Sequence, residues 1–348
     1  FILYSSGTTG QPKGVVHTQQ NLAASLLDLK KCWGFVQEDI LLNVLPLFHI
    51  HGLSFATHLS LISGATMILE DKFHPLRTMD SIQHATVFMA VPTLYYAFLK
   101  RPEFKQKAKA WQKTRLFTCG SAPIRAEVLP ELESILEKPL INRYGMTESH
   151  VITSLPINGP YPQGSVGLPL EGVALKLVAE DGRTIPSEST QQADRKVVGQ
   201  VKIRSRNLFS QYWNKPEATA SAFDQDGFFS TGDLGYLDEL GFLTLVGRNS
   251  DLVISSGYNV YPAVVEKVIN SFPQVRESAV IGIPDELRGE KVIAIVTAEG
   301  ELQIRELQDH CRERLASYQL PARFELIDEL PRNTMGKILK RELREKYA

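Results

Sequence analysis

The sequence is short of the features that mark several protein classes. Cysteine is scarce: 348 residues hold three, Cys32, Cys119 and Cys311, with no C-x-x-C pair among them. That spacing argues against a zinc cluster or a disulfide framework and fits a reducing compartment. Neither sign of charge is in excess, with 38 Lys plus Arg against 39 Asp plus Glu and a net charge of −1. Nothing global therefore draws the chain to nucleic acid or an anionic membrane; only a local basic funnel would. No apolar run approaches the roughly 18 residues of a spanning helix, so no integral membrane segment is expected. The final REKYA is not a peroxisomal S-K-L address. Internal repeats and low-complexity tracts are lacking too.

What is there resembles an ordinary globular chain with 43% hydrophobic residues, long enough for roughly two or three domains. Apolar strand candidates at 1–4, 40–45, 66–69, 86–91 and 116–119 alternate with amphipathic stretches such as 21–31 and 127–137. That alternation predicts an α/β domain with a helix-covered, largely parallel sheet. From about 164 to 247 short alternating segments (174–179, 199–205, 241–246) are separated by Gly, Pro, Asp and Asn, which predicts a small β subdomain. Residues 181–198 are polar and turn-rich, a surface loop. After 247 a helix opens on Tyr261-Pro262 and runs to about 271. Strands at 277–282 and 291–298, a helix at 304–316 and a strand at 323–327 complete a small α+β unit. The boundaries drawn are 1–249 and 250–348. A domain does not naturally begin one strand before a loop of the kind described next, so the chain is expected to lack an N-terminal part, and with it any targeting peptide.

That loop is YSSGTTGQPKGV, residues 4–15. Gly7 and Gly10 let the backbone turn so that successive N–H groups face one anion. Ser5, Ser6, Thr8 and Thr9 add hydroxyl donors and Lys13 adds charge. It is not the Walker pattern, whose spacing and order differ. The string resembles the phosphate loop of the adenylate-forming superfamily: acyl-CoA synthetases, luciferases and peptide-synthetase adenylation domains. Further motifs of that superfamily follow in order: PLFHIHGL (46–53), CGSAP (119–123), RYGMTE (143–148), STGDL (230–234), GRNSDLVISSGYNVYP (247–262) and PRNTMGKILK (331–340). The resemblance spans almost the whole chain and implies a large AMP-binding domain followed by a small C-terminal lid.

It also implies roles. Ser5, Ser6, Gly7, Thr8, Thr9, Gly10 and Lys13 would hold ATP phosphates, with Thr8 and Glu148 near Mg²⁺, a hard cation that takes oxygen ligands. Thr147 would give a phosphate its hydroxyl. Tyr144 would stack on adenine beside the Gly120-Ser121-Ala122 wall. Asp233 would accept from both ribose hydroxyls and Arg248 would contact ribose or phosphate. Lys337 would bridge the substrate carboxylate and the α-phosphate as charge builds on phosphorus. The small domain would then turn about Ser250, where relatives commonly carry Asp or Lys, and present the face around Gly257 to the pantetheine of coenzyme A. No general base is needed, because a carboxylate is already a nucleophile at neutral pH.

The small-molecule carboxylic acid is indicated by His49, Arg143 and Met146. His49 matches a position lining the acyl tunnel; it and His51 also suit a core. Arg143 would be costly beside an alkyl chain but favourable if the acid brings a second carboxylate. RYGMTE with VFMAVPT (87–93), HIHGL and LPRNTMGK is similar to the malonyl-CoA synthetases, which implies malonate or methylmalonate. If Arg143 instead pairs with a structural acid, a short- or medium-chain fatty acid or an aromatic acid is the alternative. A carrier-loading adenylation module is a further one, less favoured because no carrier domain follows Lys337. A non-catalytic remnant would have lost Lys13, Glu148, Asp233 or Lys337. A cytoplasmic location is expected, with a mitochondrial one as the alternative. Nothing in the sequence bears on oligomeric state.

Overall fold

A computed structural model describes residues 1–5, 12–186, 197–333 and 336–348. Ser6, Gly7, Thr8, Thr9 and Gly10 of the loop, Thr334 and Met335, and most of the 181–198 segment lie outside the described residues. The fold is mixed α/β. Two compact units emerge: residues 1–197, 201–231 and 237–244 in one, and 198–200, 232–236 and 245–348 in the other.

The first unit is organised on a seven-stranded sheet in the order Thr66–Leu69, Ile40–Asn43, Val87–Ala90, Leu116–Cys119, Leu140–Met146, His150–Ser154, Leu168–Pro169. The first five strands are parallel. The last two are antiparallel. Val87–Ala90 and Leu116–Cys119 are buried throughout, which is why VFMA is an unbroken apolar run and LFTC is interrupted only by the small Thr118, neither alternating with exposed polar residues. Phe88, Tyr95, Phe98, Phe104, Trp111 and Phe117 fill the adjoining core. Two helices depart from their expected limits for local reasons. The first runs Gln19–Cys32 because Thr18 and Asn21 form a capping box in front of it. The helix expected over 127–137 is a 3₁₀ turn, Ala126–Val128, and then an α-helix, Leu129–Leu136, with Pro130 in its first turn. A π-helical segment, His51–His58, begins within the HIHG stretch.

A three-stranded antiparallel sheet is built from Ile2–Ser5, Lys13–Val16 and Gln211–Tyr212. Only its first strand was expected. The β subdomain holds a five-stranded sheet ordered Thr184–Ile185, Val173–Val178, Gly199–Ser205, Phe229–Leu237, Leu243–Arg248.

The second unit is built around one long hairpin, Val275–Asp285 with Gly289–Ala298. Arg323–Leu326 adds to it in parallel. Val280, Val292, Ala294 and Val296 face a core shared with the helices Pro262–Asn270 and Ile304–Arg312. Ile281, Ile283, Ile293 and Ile295 pack on the other side with Leu343 of the helix Lys340–Tyr347. Covering both faces makes the strands longer than the expected 277–282 and 291–298. No helix among the described residues is long and apolar enough to cross a membrane.

Candidate active site

The strands that flank the phosphate-loop segment end on the pair Ser5 and Lys13, and Ser5 Oγ donates to the Lys13 carbonyl at 3.5 Å. Lys13 then places its ammonium 4.7 Å from the centre of the Tyr212 ring. The Tyr212 hydroxyl donates to Glu148 Oε1 at 3.0 Å, and burial together with the Glu148 carboxylate raises the phenol's pKa well above its ordinary value. Glu148 is 7% exposed, and its carbonyl accepts from the Phe209 N–H at 2.7 Å. One residue earlier, the Thr147 carbonyl accepts from His17 Nε2 at 2.7 Å. Because a carbonyl only accepts, His17 carries its proton on Nε2. His17 meets His150 edge-on with ring centres 4.3 Å apart. Burial, the main cause, lowers the first to about 4 and the second to about 3, so both rings are neutral at physiological pH.

At the C-terminal ends of the parallel strands, Cys119 leads into Gly120 and Ser121, and the neighbouring strand brings Arg143 alongside. Gly120 has a packing reason to be glycine: a Cβ there would lie 2.7 Å from Arg143 Nε. Ser121 adopts φ 70°, which leaves its hydroxyl in reach of two groups. Arg143 Nη2 donates to Ser121 Oγ at 3.2 Å, and Ser121 Oγ lies 3.2 Å from His51 Nδ1. A guanidinium only donates, so Ser121 Oγ accepts from Arg143 and shares a second hydrogen bond with His51 Nδ1, tying the three side chains together. The Arg143 guanidinium lies 4.8 Å over the Phe55 ring. Arg143 is 3% exposed, yet among the described residues no carboxylate pairs with it, and its Nε and His51 Nε2 are buried without a hydrogen-bond partner. Burial lowers Arg143 to about 10 and holds His51 well below the usual histidine range. Tyr144 is buried beside it, Met146 ends the strand, and burial lowers the half-buried His49. Ala122 is partly buried.

In the second unit, Arg248 Nε donates to Asp233 Oδ1 at 2.9 Å. Lys337 is set by a short turn in which its N–H donates to Asn333 Oδ1 at 2.9 Å and its carbonyl accepts from the Asn333 N–H. Burial first, then the Arg248 charge, lowers the Lys337 ammonium to about 8 against the opposing pull of Asp233 and Asp251. Ser256 (φ 53°) and Gly257 (φ 80°) are the two central residues of the tight hairpin joining Val253–Ser255 to Tyr258–Val260, a turn that needs positive φ at both. The space a Gly257 side chain would occupy is open.

A family model described as AMP-binding enzyme matches residues 1–213, and one described as AMP-binding enzyme C-terminal domain matches 264–337. The chain belongs to the AMP-binding enzyme family. Within that family it is 37% identical to the mitochondrial malonate–CoA ligase of Homo sapiens, over 99% of this chain and 65% of that one. It is also 35% identical to a long-chain-fatty-acid–CoA ligase of Bacillus subtilis, over 98% of this chain and 60% of the relative. The ATP-bound structure of MatB from Rhodopseudomonas palustris shares 40% identity and superposes with a TM-score of 0.93, over 99% of this chain and 67% of that one. The chain thus spans 60–65% of these two curated relatives, and identity by itself does not choose between their acids.

Of the residues singled out in the sequence, the first unit brings Lys13 and Glu148 to one side chain, Tyr212, and gathers Gly120, Ser121 and Arg143 into a second cluster. The second unit brings Asp233 and Arg248 together near the Lys337 charge. Tyr212, His17 and Phe55 were missed. No short-range pattern marks them, since each acquires its partner through a strand pairing or a helix packed from elsewhere in the chain. A family member would also need a place for Mg²⁺. Among the described residues no group of three His, Cys, Asp or Glu is placed to hold a metal. A single buried, oriented carboxylate such as Glu148 nevertheless fits this ion, which characteristically takes one or two protein carboxylates and completes its shell with phosphate oxygens and water.

Proposed function

We propose that the protein is an ATP-dependent acid–CoA ligase whose acid is malonate, or its methyl homologue. The observation that carries the choice of acid is Arg143: a buried guanidinium in an AMP-binding enzyme, without a carboxylate partner among the described residues, linked through Ser121 to a neutral histidine. A buried charge lacking its counter-ion is costly. The distal carboxylate of a dicarboxylic acid removes that cost, and the planar fork of Arg143 suits bidentate capture. The human relative is a malonate–CoA ligase, which agrees with this reading of Arg143.

The reaction proceeds in two halves. The reacting carboxylate displaces pyrophosphate from the α-phosphate to form the acyl adenylate. The thiol of coenzyme A then attacks the acyl carbonyl, the C–O bond to AMP breaks, and the thiol proton is lost to solvent. In this reading Ser5, Ser6, Gly7, Thr8, Thr9, Gly10 and Lys13 hold the phosphates, and Thr147 assists them. Glu148, with Thr8, would hold Mg²⁺, which when bound neutralises phosphate charge. Tyr144 and the Gly120–Ala122 wall hold adenine, Asp233 the ribose and Arg248 the ribose or phosphate. Lys337 stabilises the negative charge that accumulates during adenylation. His49 and Met146 border the acyl group, Arg143 orients it, and Gly257 lets the pantetheine pass. The division into 1–249 and 250–348, with Ser250 at the pivot, belongs to the same proposal. So does a reducing location, cytoplasmic or mitochondrial, which suits three free cysteines.

The test is thioester formation by the full-length protein with malonate, methylmalonate, acetate, butyrate and octanoate at equal concentration. Malonate or methylmalonate should give the highest kcat/KM by at least tenfold. Octanoate exceeding malonate would sink the dicarboxylate reading and leave the ligase reading standing.

A further inference from the structure

Three segments far apart in sequence meet at Tyr212. Its strand, Gln211–Tyr212, pairs with Lys13–Val16, placing Tyr212 opposite Val15. Further backbone bonds fix this register: the Trp213 N–H donates to the Gly14 carbonyl at 2.7 Å, and the Tyr212 N–H donates to Thr219 Oγ1 at 2.9 Å. The side chain then does two things at once. Its hydroxyl donates to Glu148 Oε1, and its ring face lies under the Lys13 ammonium. A tyrosine present only to fill space needs some acceptor for its hydroxyl. This one uses the carboxylate assigned to the metal, and its ring receives the ammonium assigned to the phosphates.

We propose that Tyr212 is a positioning residue for nucleotide binding, its hydroxyl aiming the Glu148 carboxylate and its ring aiming Lys13. A carboxylate with one oxygen taken by a buried donor is held in one orientation before any ligand arrives, so less ordering is required when the metal–nucleotide binds. A cation seated on a ring face is restrained in the same way without losing its charge. The inference rests on the reading of Glu148 as the Mg²⁺ ligand and of residues 4–15 as the phosphate loop, and it adds a side chain that acts on both.

The experiment uses the full-length protein and α,β-methylene-ATP, which binds without turning over. Calorimetry gives nucleotide affinity in EDTA and the Mg²⁺ concentration that half-maximally strengthens it, for wild type, Tyr212→Phe, Glu148→Gln and the double variant. Tyr212→Phe keeps the ring and loses only the hydroxyl. It should raise the Mg²⁺ midpoint by about tenfold, the scale of one hydrogen bond to a charged group, with affinity in EDTA unchanged. In the Glu148→Gln background the same change should move the midpoint less than twofold, because Tyr212 acts through Glu148. Tyr212→Leu removes the ring as well and should also weaken binding in EDTA. As a readout on the unsubstituted site, 3-fluorotyrosine placed at 212 should show a ¹⁹F line that moves when Mg²⁺ is added to the nucleotide complex.

A Tyr212→Phe midpoint within twofold of wild type, equal shifts in both backgrounds, or a stationary ¹⁹F line would each overturn the proposal. They would leave the ligase reading intact provided wild type binds the nucleotide. A wild type that binds no nucleotide fails both.

Discussion

Replacing Arg143 by methionine should make the protein more stable and the enzyme much worse with malonate. The two effects have opposite signs because the guanidinium is buried without a counter-ion among the described residues. Burial lowers its pKa from 12.5 to about 10. At about 1.4 kcal/mol per unit, desolvating the charge costs the folded state on the order of 3 kcal/mol. Against this stand one hydrogen bond to Ser121 and the contact with the Phe55 ring, each worth about 1 kcal/mol. Methionine keeps an apolar, flexible chain against Phe55 and Gly120, so the net gain is about 1 kcal/mol, or a melting temperature higher by about 1 °C. For malonate the account reverses. Losing one partner of a buried charge pair costs about 3–5 kcal/mol, which lowers kcat/KM by roughly 10²–10³-fold or more. Butyrate, with nothing to offer the arginine, should be used as well as before or better. Scanning calorimetry on both proteins and initial rates of pyrophosphate release with malonate and butyrate provide the test. A fall in stability of 2 kcal/mol would mean that Arg143 is satisfied within the protein. Malonate turnover within threefold of wild type would mean that it does not touch the acid. Either outcome refutes the reasoning.

Two further expectations concern titration. Lys337, lowered to about 8, assists adenylation only as an ammonium. The pyrophosphate-release rate should therefore fall as pH rises through about 8; Lys337→Arg should move that limb upward by at least one unit, and an unmoved limb assigns it to another group. His17, with a folded value of about 4 against 6.5 when free, binds its proton more readily in the unfolded chain. Its contribution is complete above pH 6.5 and is lost as pH falls towards 4, amounting to about 3 kcal/mol. About 2 kcal/mol of this is lost by pH 5, so urea midpoints at pH 7.5 and 5 should differ by that much from this group, and less in His17→Gln; identical profiles for the two proteins would count against a buried neutral His17.

The features legible in the sequence were those whose partners are close along the chain. Runs such as VFMA and LFTC announce strands buried on both faces, and RYGMTE or NTMGK can be recognised because the residues that surround the chemistry are neighbours. Limits of elements were less legible where a cap or a proline intervenes, as at Thr18 and Pro130. The π-helical His51–His58 carries no periodicity that separates it from an α-helix eight residues long.

The hardest features to read were those created by a missing partner or a distant one. Arg143 could be seen in sequence, but whether it already had a carboxylate could not, since 39 acidic residues were available to supply one. The same arginine therefore allowed a structural ion pair or a substrate contact until the folded neighbourhood supplied Ser121, His51 and Phe55 and no acid among the described residues. Tyr212 is the converse case. Its surroundings in sequence, QYWNKPE, suggest only a strand ending in a proline-led turn. The pairing of Gln211–Tyr212 with Lys13–Val16 turns that tyrosine towards Glu148 and Lys13, and a register shift of one residue would point Trp213 there instead. Recognition of motifs thus locates the reacting groups, whereas their preorganisation is set by long-range registers. A substitution that shifts the 13–16/211–212 register should accordingly weaken metal–nucleotide binding while leaving every recognised motif residue in place.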